Sequence, residues 1–537
     1  MKFTHKPWAW VAVAGLGALL SFASHALTAE QAYAMATGDD SEQRVQAINQ
    51  AVLDPAVRTD GGRLSAFLGA LANDEVRVSQ GKVYVMSGDA VTDPVTGQAA
   101  KLPADAEEVV SNNYLRSVID TAQAALALDS GDVPQRRSAA EKLAAEPDAA
   151  RLPLIEKALA SEKDEQVKAL LERSRAASLL SSEDVQQRLK AVEQLAHQKT
   201  PDTQLLLNQR LSEESDPGVQ KAIRAALVGI EESLAWGDRI GAAFSGISLG
   251  SVLLLAALGL AITYGLMGVI NMAHGELIMI GAYATYLVQL MFQRWMSEAA
   301  FGWYLVVAIP VAFLASALVG AVLERGVIRF LYGRPLETLL ATFGISLVLQ
   351  QTVRSLFGAQ NVGVENPAWM SGGIALQPNL TLPYNRIAII VFAFAVLGAV
   401  AFMIARTRLG LFVRGVTQNR AMASCVGVNT ARTDTYAFAL GSGIAGLAGC
   451  ALSQIGNVGP DLGQNYIVDS FLVVVLGGVG QLAGTVYAAL GLGVLSKLLE
   501  GWTGAVLAKI AVLLFIVVFI QKRPQGIFAL KGRSAET

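Results

Sequence analysis

Hydrophobic and polar positions divide the chain into two unlike halves. From residue 27 to about 235, apolar residues recur at three- and four-residue spacing between short charged turns, as in amphipathic helices sharing a core. From 240 onward the pattern changes to long apolar runs, which breaks divide into 241–263, 267–292, 303–325, 338–357, 386–405, 433–455, 467–480, 482–499 and 503–521. The seventh run is too short to span alone, whereas the others approach the ~20 residues that cross ~30 Å of hydrocarbon. The expected fold is all-α: a polytopic membrane domain of about eight to nine segments, one of them broken, behind a helical extracytoplasmic domain.

The amino half carries an internal repeat. Glu141, Leu143, Ala144, Leu159, Asp164 and Val167 are matched 52 residues later by Glu193, Leu195, Ala196, Leu211, Asp216 and Val219. Helix pairs at this period predict a stacked array resembling HEAT repeats, whose period is usually ~40 to 47. The alternating stretch 82–93, with its Gly-Asp, predicts a small hairpin interrupting the array. At the start of the chain, Lys2, His5 and Lys6 precede an apolar run from Trp8 to Leu20. Ser24-His25-Ala26 then supplies an A-x-A-like cleavage site. The expected division is a signal peptide over 1–26, an extracytoplasmic helical-repeat domain over 27–235 and a membrane domain over 240–530. Cys425 and Cys450 both lie in the membrane half, so the outer domain relies on its core alone.

Composition sharpens this picture. A hydrophobic content of 53% over 537 residues is too apolar for an ordinary soluble protein, and a net charge of −2 gives no argument for a nucleic-acid partner. Basic residues set the orientation. Arg325, Arg329 and Arg334 share one connection, Arg406, Arg408, Arg414, Arg420 and Arg432 another, and Lys522, Arg523, Lys531 and Arg533 follow the last span. The positive-inside tendency makes all three cytoplasmic, and counting crossings from an outer amino domain gives the same answer; Arg294 is the one exception.

Candidate chemistry concentrates in three places. In 265–286, GLMGVINMAHGELIMIGAYATY, the polar residues Asn271, His274 and Glu276 interrupt membrane-length apolar sequence, and Gly275 frees the backbone to bend. A carboxylate in hydrocarbon costs roughly 2.5 to 3.5 kcal/mol on insertion scales, so Glu276 should face a protein interior or a water-filled path. Asn271 and Glu276 could line that path or cap the second span, and His274 lacks partners at metal-ligand spacing. Gly477, Gly478 and Gly480 end the short seventh run and read either as close packing or as a helix break. The loop 406–432 holds a short amphipathic helix that Thr417 or Asn419 can cap, with Ala421, Met422, Cys425 and Val426 as its apolar face and Gly427 as its end. Such a helix docks on a partner or lies on lipid. No G-x-x-x-x-G-K-[ST] occurs, so no nucleotide is cradled here by that route.

The 265–286 stretch, the loop sequence RGVTQNRAMASCVGV and GNVGPDLGQNYIVDSFLVVVLGGVGQLAGT together resemble the permease subunits of branched-chain amino-acid type ABC importers. NMAHGELIM, the stretch 456–470 and the long amino-terminal domain bring the likeness closest to the urea-transporter permeases of that family. The resemblance implies urea import as half of a permease heterodimer, with two ATPase subunits that hold ATP and magnesium inside and a urea-binding protein outside. No cofactor is implied on this chain. It also implies a coupling helix at 417–427, with Arg414, Thr417, Gln418, Asn419, Arg420, Met422, Ala423 and Gly427 toward the ATPase. A pathway past Asn271, His274, Gly275, Glu276, Gln454 and the 477–480 glycines goes with it, the amides of Asn271 and Gln454 suiting a small neutral solute. Gln481 and Ala483 stand where an Asn and an aromatic are expected. Branched-chain amino acids or short amides are the other substrates, an ATP-independent channel or carrier the other transport class. An intramembrane enzyme would have only Asp461 with Asp469 to offer.

Overall fold

A computed structural model describes residues 27–528 apart from 39, 55–56, 58–61, 89, 130–131 and 269–270, so the expected signal peptide lies outside the described residues. The chain packs as two units that divide between Ser233 and Leu234.

In the first unit, α1 (Ala29–Thr37), α2 (Ser41–Leu53), α3 (Arg63–Ala72) and α4 (Asn113–Ala127) bury Met35, Ile48, Phe67, Leu68 and Ile119 in a common core. A four-stranded antiparallel sheet in the order β3-β2-β1-β4 comes between α3 and α4: β1 (Val76–Ser79), β2 (Lys82–Ser87), β3 (Ala90–Thr92) and β4 (Glu107–Glu108). The expected hairpin is β2–β3. A second one joins β1 to β2 through Gln80 and Gly81, both at positive φ, which is the two-residue turn that matches strand twist.

The repeat then becomes visible as structure. Helices α5 (Val133–Ala145), α6 (Leu152–Ser161) and α7 (Glu165–Leu179) are followed by α8 (Val185–Gln198), α9 (Pro201–Glu213) and α10 (Pro217–Met267). Equivalent ion pairs tie the two triplets internally. Arg136 Nε and Nη2 donate to Glu162 at 2.8 and 3.1 Å, and Arg188 donates to Glu214 from the same nitrogens at 3.0 and 3.1 Å. Glu162 also accepts the amides of Lys163 and Asp164, and Glu214 those of Ser215 and Asp216. Asp164 and Asp216 then cap the third helix of their triplets by accepting from Val167 and Val219. Bidentate guanidinium–carboxylate pairing holds the Glu162 carboxyl down at about 2, below its usual 4.5.

The second unit is a helical bundle. Among the described residues, eight helices are long and apolar enough to cross a membrane. They are α10, α11 (His274–Trp295), α12 (Tyr304–Gly326), α13 (Pro335–Phe357), α14 (Tyr384–Arg406), α17 (Thr430–Ser453), α19 (Leu482–Thr503) and α20 (Ala505–Lys522). Two short helices precede α17, namely α15 (Arg408–Gln418) and α16 (Arg420–Cys425), and the 16-residue α18 (Leu462–Gly477) precedes α19. Helix α10 is 51 residues long. A hairpin that the sequence reading left out, β5 (Gly373–Gln377) with β6 (Leu380–Pro383), precedes α14.

Small residues set the closest helix packing. A Cβ on Gly441 would lie 2.7 Å from Gly259 O of α10, and one on Gly446 would lie 2.5 Å from Ala312 O of α12, so backbones touch there directly. Outward faces are apolar, with Leu314, Leu318 and Val322 on α12 and Leu514, Val517 and Val518 on α20 exposed. In a soluble domain that would be a liability; in hydrocarbon it is the ordinary boundary.

Candidate functional site: a polar column against two helix starts

Helix α13 carries a buried polar row through its apolar middle. Thr338, Thr342, Ser346 and Gln350 recur every four residues and so share one face, and all four are buried. Arg354 extends the row. The sequence reading passed over this column, although small polar residues at fourfold spacing in a membrane-length helix are a legible signal.

The column faces the beginnings of α11 and α18. Met272 N donates to Thr342 Oγ1 at 3.2 Å, and Ser346 Oγ donates to Glu276 Oε1 at 2.9 Å. Gln350 Nε2 and Arg354 Nη2 reach Asp461 Oδ1 at 2.5 and 2.7 Å. Between them the two helix starts abut: a Cβ on Gly275 would lie 2.6 Å from Gly463 O, so only hydrogen fits at this contact. Ser346 is the midpoint of a 23-residue helix of membrane length, which places Glu276 about halfway along it. Helix α11 therefore starts inside the bundle, and α18, at 16 residues, is too short to cross from there.

Each helix start leaves amides without intrahelical partners and the positive end of a dipole. Asn271 Oδ1 accepts from Ala273 N at 3.0 Å, Glu276 sits in the first turn of α11, and Asp461 occupies the N-cap position of α18. A carboxylate at such an end is stabilised by about 0.3 to 1 kcal/mol, which offsets part of its burial. His274 is fully buried, and its Nε2 lies 3.0 Å from Ala256 O, an atom that can only accept, so Nε2 carries the proton. Among the described residues, Asn271 Nδ2, His274 Nδ1 and Glu276 Oε2 are buried without a hydrogen-bond partner. Buried polar atoms are nearly always paired, so these three are the atoms of the seam with hydrogen-bonding capacity to spare.

Of the other residues singled out in the sequence, Gln454 and the 477–480 glycines lie elsewhere. Gln454 accepts from Tyr304 Oη at 3.1 Å through Oε1, donates to Ser453 Oγ and takes Asn385 Nδ2 on its carbonyl, so its groups fasten the end of α17. Helix α18 does end at Gly477, with Gly478 and Gly480 at positive φ. The carbonyls freed there are taken by the chain itself, since Ile527 N donates to Leu476 O at 2.8 Å and Phe528 N to Gly477 O at 3.4 Å. The mid-bundle start is at 461–463; at 477–480 the chain breaks between α18 and α19, and the segment after α20 folds back onto the break. Asp461 and Asp469 do not form a pair, for Asp469 meets Lys509 at 3.4 Å.

In the loop between α14 and α17, Asn419 caps α16 by accepting from Met422 N at 2.9 Å, while Gly427 has φ +88°. Thr417 is no cap, since its hydroxyl donates to Val413 O at 2.7 Å within α15, which Thr407 begins. The expected apolar face of this short helix points outward. Ala423 and Val416 turn inward, whereas Ala421, Met422, Cys425 and Val426 are exposed, because a helix of six residues can bury only one narrow edge. Arg414, Gln418 and Asn419 are exposed beside them, and Arg420 pairs with Asp434 of α17.

A bundle of membrane-length helices, with helix starts meeting at mid-length beside a polar column, is the construction of a subunit that moves a solute across a membrane. The chain belongs to the branched-chain amino acid transport system permease component family, whose model matches residues 242–521. The high-affinity branched-chain amino acid transport system permease protein LivH of Escherichia coli K12 is 27% identical over 293 residues, 53% of this chain and 93% of that protein. BraD of Pseudomonas aeruginosa, another such permease protein, is 27% identical over 289 residues with the same shares. The ribose import permease protein RbsC of Escherichia coli K12 is 28% identical over 200 residues, 36% of this chain and 60% of that protein. No solved structure matches.

Proposed function

We propose that this chain is one half of the membrane channel of an ATP-driven importer for urea, with branched-chain amino acids or short amides as the alternative cargo. The observation that carries the proposal is the meeting of Glu276, Gly275 and Gly463 with the α13 column, a polar seam inside otherwise apolar packing. Urea both donates and accepts hydrogen bonds and carries no charge. The unpartnered Glu276 Oε2 is an acceptor and Asn271 Nδ2 a donor, a combination that suits an amide better than an ion.

In this reading a second permease subunit completes the path. Of two ATPase subunits, which hold ATP and magnesium, one grips the exposed face of α16 around Met422 and Val426. The arginine clusters support a reading in which that face and the carboxyl end are cytoplasmic and the first unit is periplasmic, its repeats offering a docking surface for a urea-binding protein. The test is reconstitution of the complete transporter in vesicles with radiolabelled urea and leucine. ATP-dependent accumulation of urea is expected. Leucine uptake alone would transfer the assignment to the alternative cargo, and urea flux through this chain without any ATPase subunit would replace the importer by a channel.

A further inference from the structure

The short helix α16 is fastened to the bundle by a knot of ionic and aromatic contacts. Both terminal nitrogens of Arg420, the first residue of α16, reach the carboxylate of Asp434 in α17. Asp434 is fully buried, while the arginine side chain is 44% exposed, so the pair bridges surface and interior. The same guanidinium lies 5.0 Å from the centroid of the Tyr332 ring. Tyr332 belongs to the connection between α12 and α13, and its hydroxyl donates to Glu324 Oε1 at 3.2 Å. Glu324, also fully buried, accepts from Thr435 Oγ1 at 2.6 Å and has Arg329 Nε at 3.9 Å. At the far end of that connection Thr338 Oγ1 donates to Leu331 O at 3.1 Å and Arg334 O at 2.8 Å, and Thr338 is the first member of the polar column.

One side chain of α16 thus holds α17 directly and, through Tyr332, the segment that leads into α13. A carboxylate buried as Asp434 is cannot release its cation without leaving an uncompensated charge, so displacement of α16 is passed to its partners rather than absorbed at the contact. We propose that Arg420, Asp434 and Tyr332 form the linkage that carries movement of α16 to the polar column. They are positioning residues, acting through α16 and the segment that leads into α13. This rests on α16 being the element that an ATPase subunit grips.

The experiment uses the assembled transporter in vesicles and reads ATP hydrolysis and uptake of radiolabelled urea and leucine in parallel. With Asp434→Asn, the ATPase subunits remain bound and hydrolyse ATP, while solute imported per ATP falls at least about fivefold, the lower end of usual coupling effects. Tyr332→Phe keeps the ring under Arg420 and removes the hydroxyl that bonds Glu324. It lowers the same ratio with unchanged thermal stability, and it stands as the test if Asp434→Asn does not assemble. Exchanging the charges, Arg420→Asp with Asp434→Arg, restores part of the ratio. An uptake-to-hydrolysis ratio equal to that of the unaltered protein in the variants that assemble would overturn the linkage. A separate control, Met422→Glu, which lies outside the knot, addresses the gripping of α16: ATPase subunits that stay bound to this variant would overturn the docking assignment without bearing on the linkage.

Discussion

Ser346, the midpoint of α13, donates to Glu276 Oε1 at 2.9 Å and leaves Glu276 Oε2 buried and unpaired. A carboxylate kept in that condition inside a membrane-length bundle is held by few compensations: one hydroxyl and the positive end of α11. Ser346→Ala removes the hydroxyl while preserving shape. Hydrogen bonds to charged groups are worth about 1.5 to 3 kcal/mol, so uptake by the reconstituted transporter is expected to fall about tenfold to a hundredfold, with the subunits still assembled. Uptake within a factor of about two of the unaltered rate would remove this pair from the path.

The abutting helix starts make a steric prediction. Gly275→Ala and Gly463→Ala each push a methyl group into the other's backbone, and overpacking of this kind costs about 1 to 3 kcal/mol. Both should lower the melting temperature in detergent and abolish uptake. Gly398→Ala, in the middle of α14 with open space around it, should leave both unchanged or raise stability slightly.

The exposed face of α16 predicts a loss confined to assembly. Met422 is 61% exposed, so Met422→Glu introduces no buried charge and membrane insertion should be intact. The partner ATPase should fail to copurify, and uptake should vanish with it. Copurification in normal yield would show that the ATPase binds elsewhere.

For the first unit the prediction concerns pH. The Glu162 carboxyl titrates at about 2 when folded against an ordinary 4.5, because Arg136 is hydrogen-bonded to its ionised form. A depressed folded value means that the stabilisation is complete above the ordinary value and is lost as pH falls from 4.5 toward 2. Hydrogen exchange across 133–179 of the full chain should therefore accelerate in that window. Glu162→Gln should raise exchange at neutral pH and flatten the dependence, and an unaltered dependence would assign the acid sensitivity to another carboxylate.

Much of this protein is set by local pattern. Apolar run length fixes the membrane helices to within a few residues at most ends, because hydrocarbon demands a length and an internally bonded backbone whatever the neighbours are. The 52-residue repeat is likewise written in the sequence, and its strongest feature, the pairing of Arg136 with Glu162 and of Arg188 with Glu214, is periodic in residue identity. What only tertiary structure decided is depth and partnership. Nothing local to 461–463 says that this helix starts against Gly275 halfway along α13, or that 527–528 closes the carbonyls left by Gly477. Nor does the loop sequence say that Arg420 turns inward to Asp434 while Met422 turns out. Those outcomes depend on residues as distant in sequence as Gly275 and Gly463 competing for the same buried space, and a one-dimensional pattern records which groups must be satisfied without recording by whom.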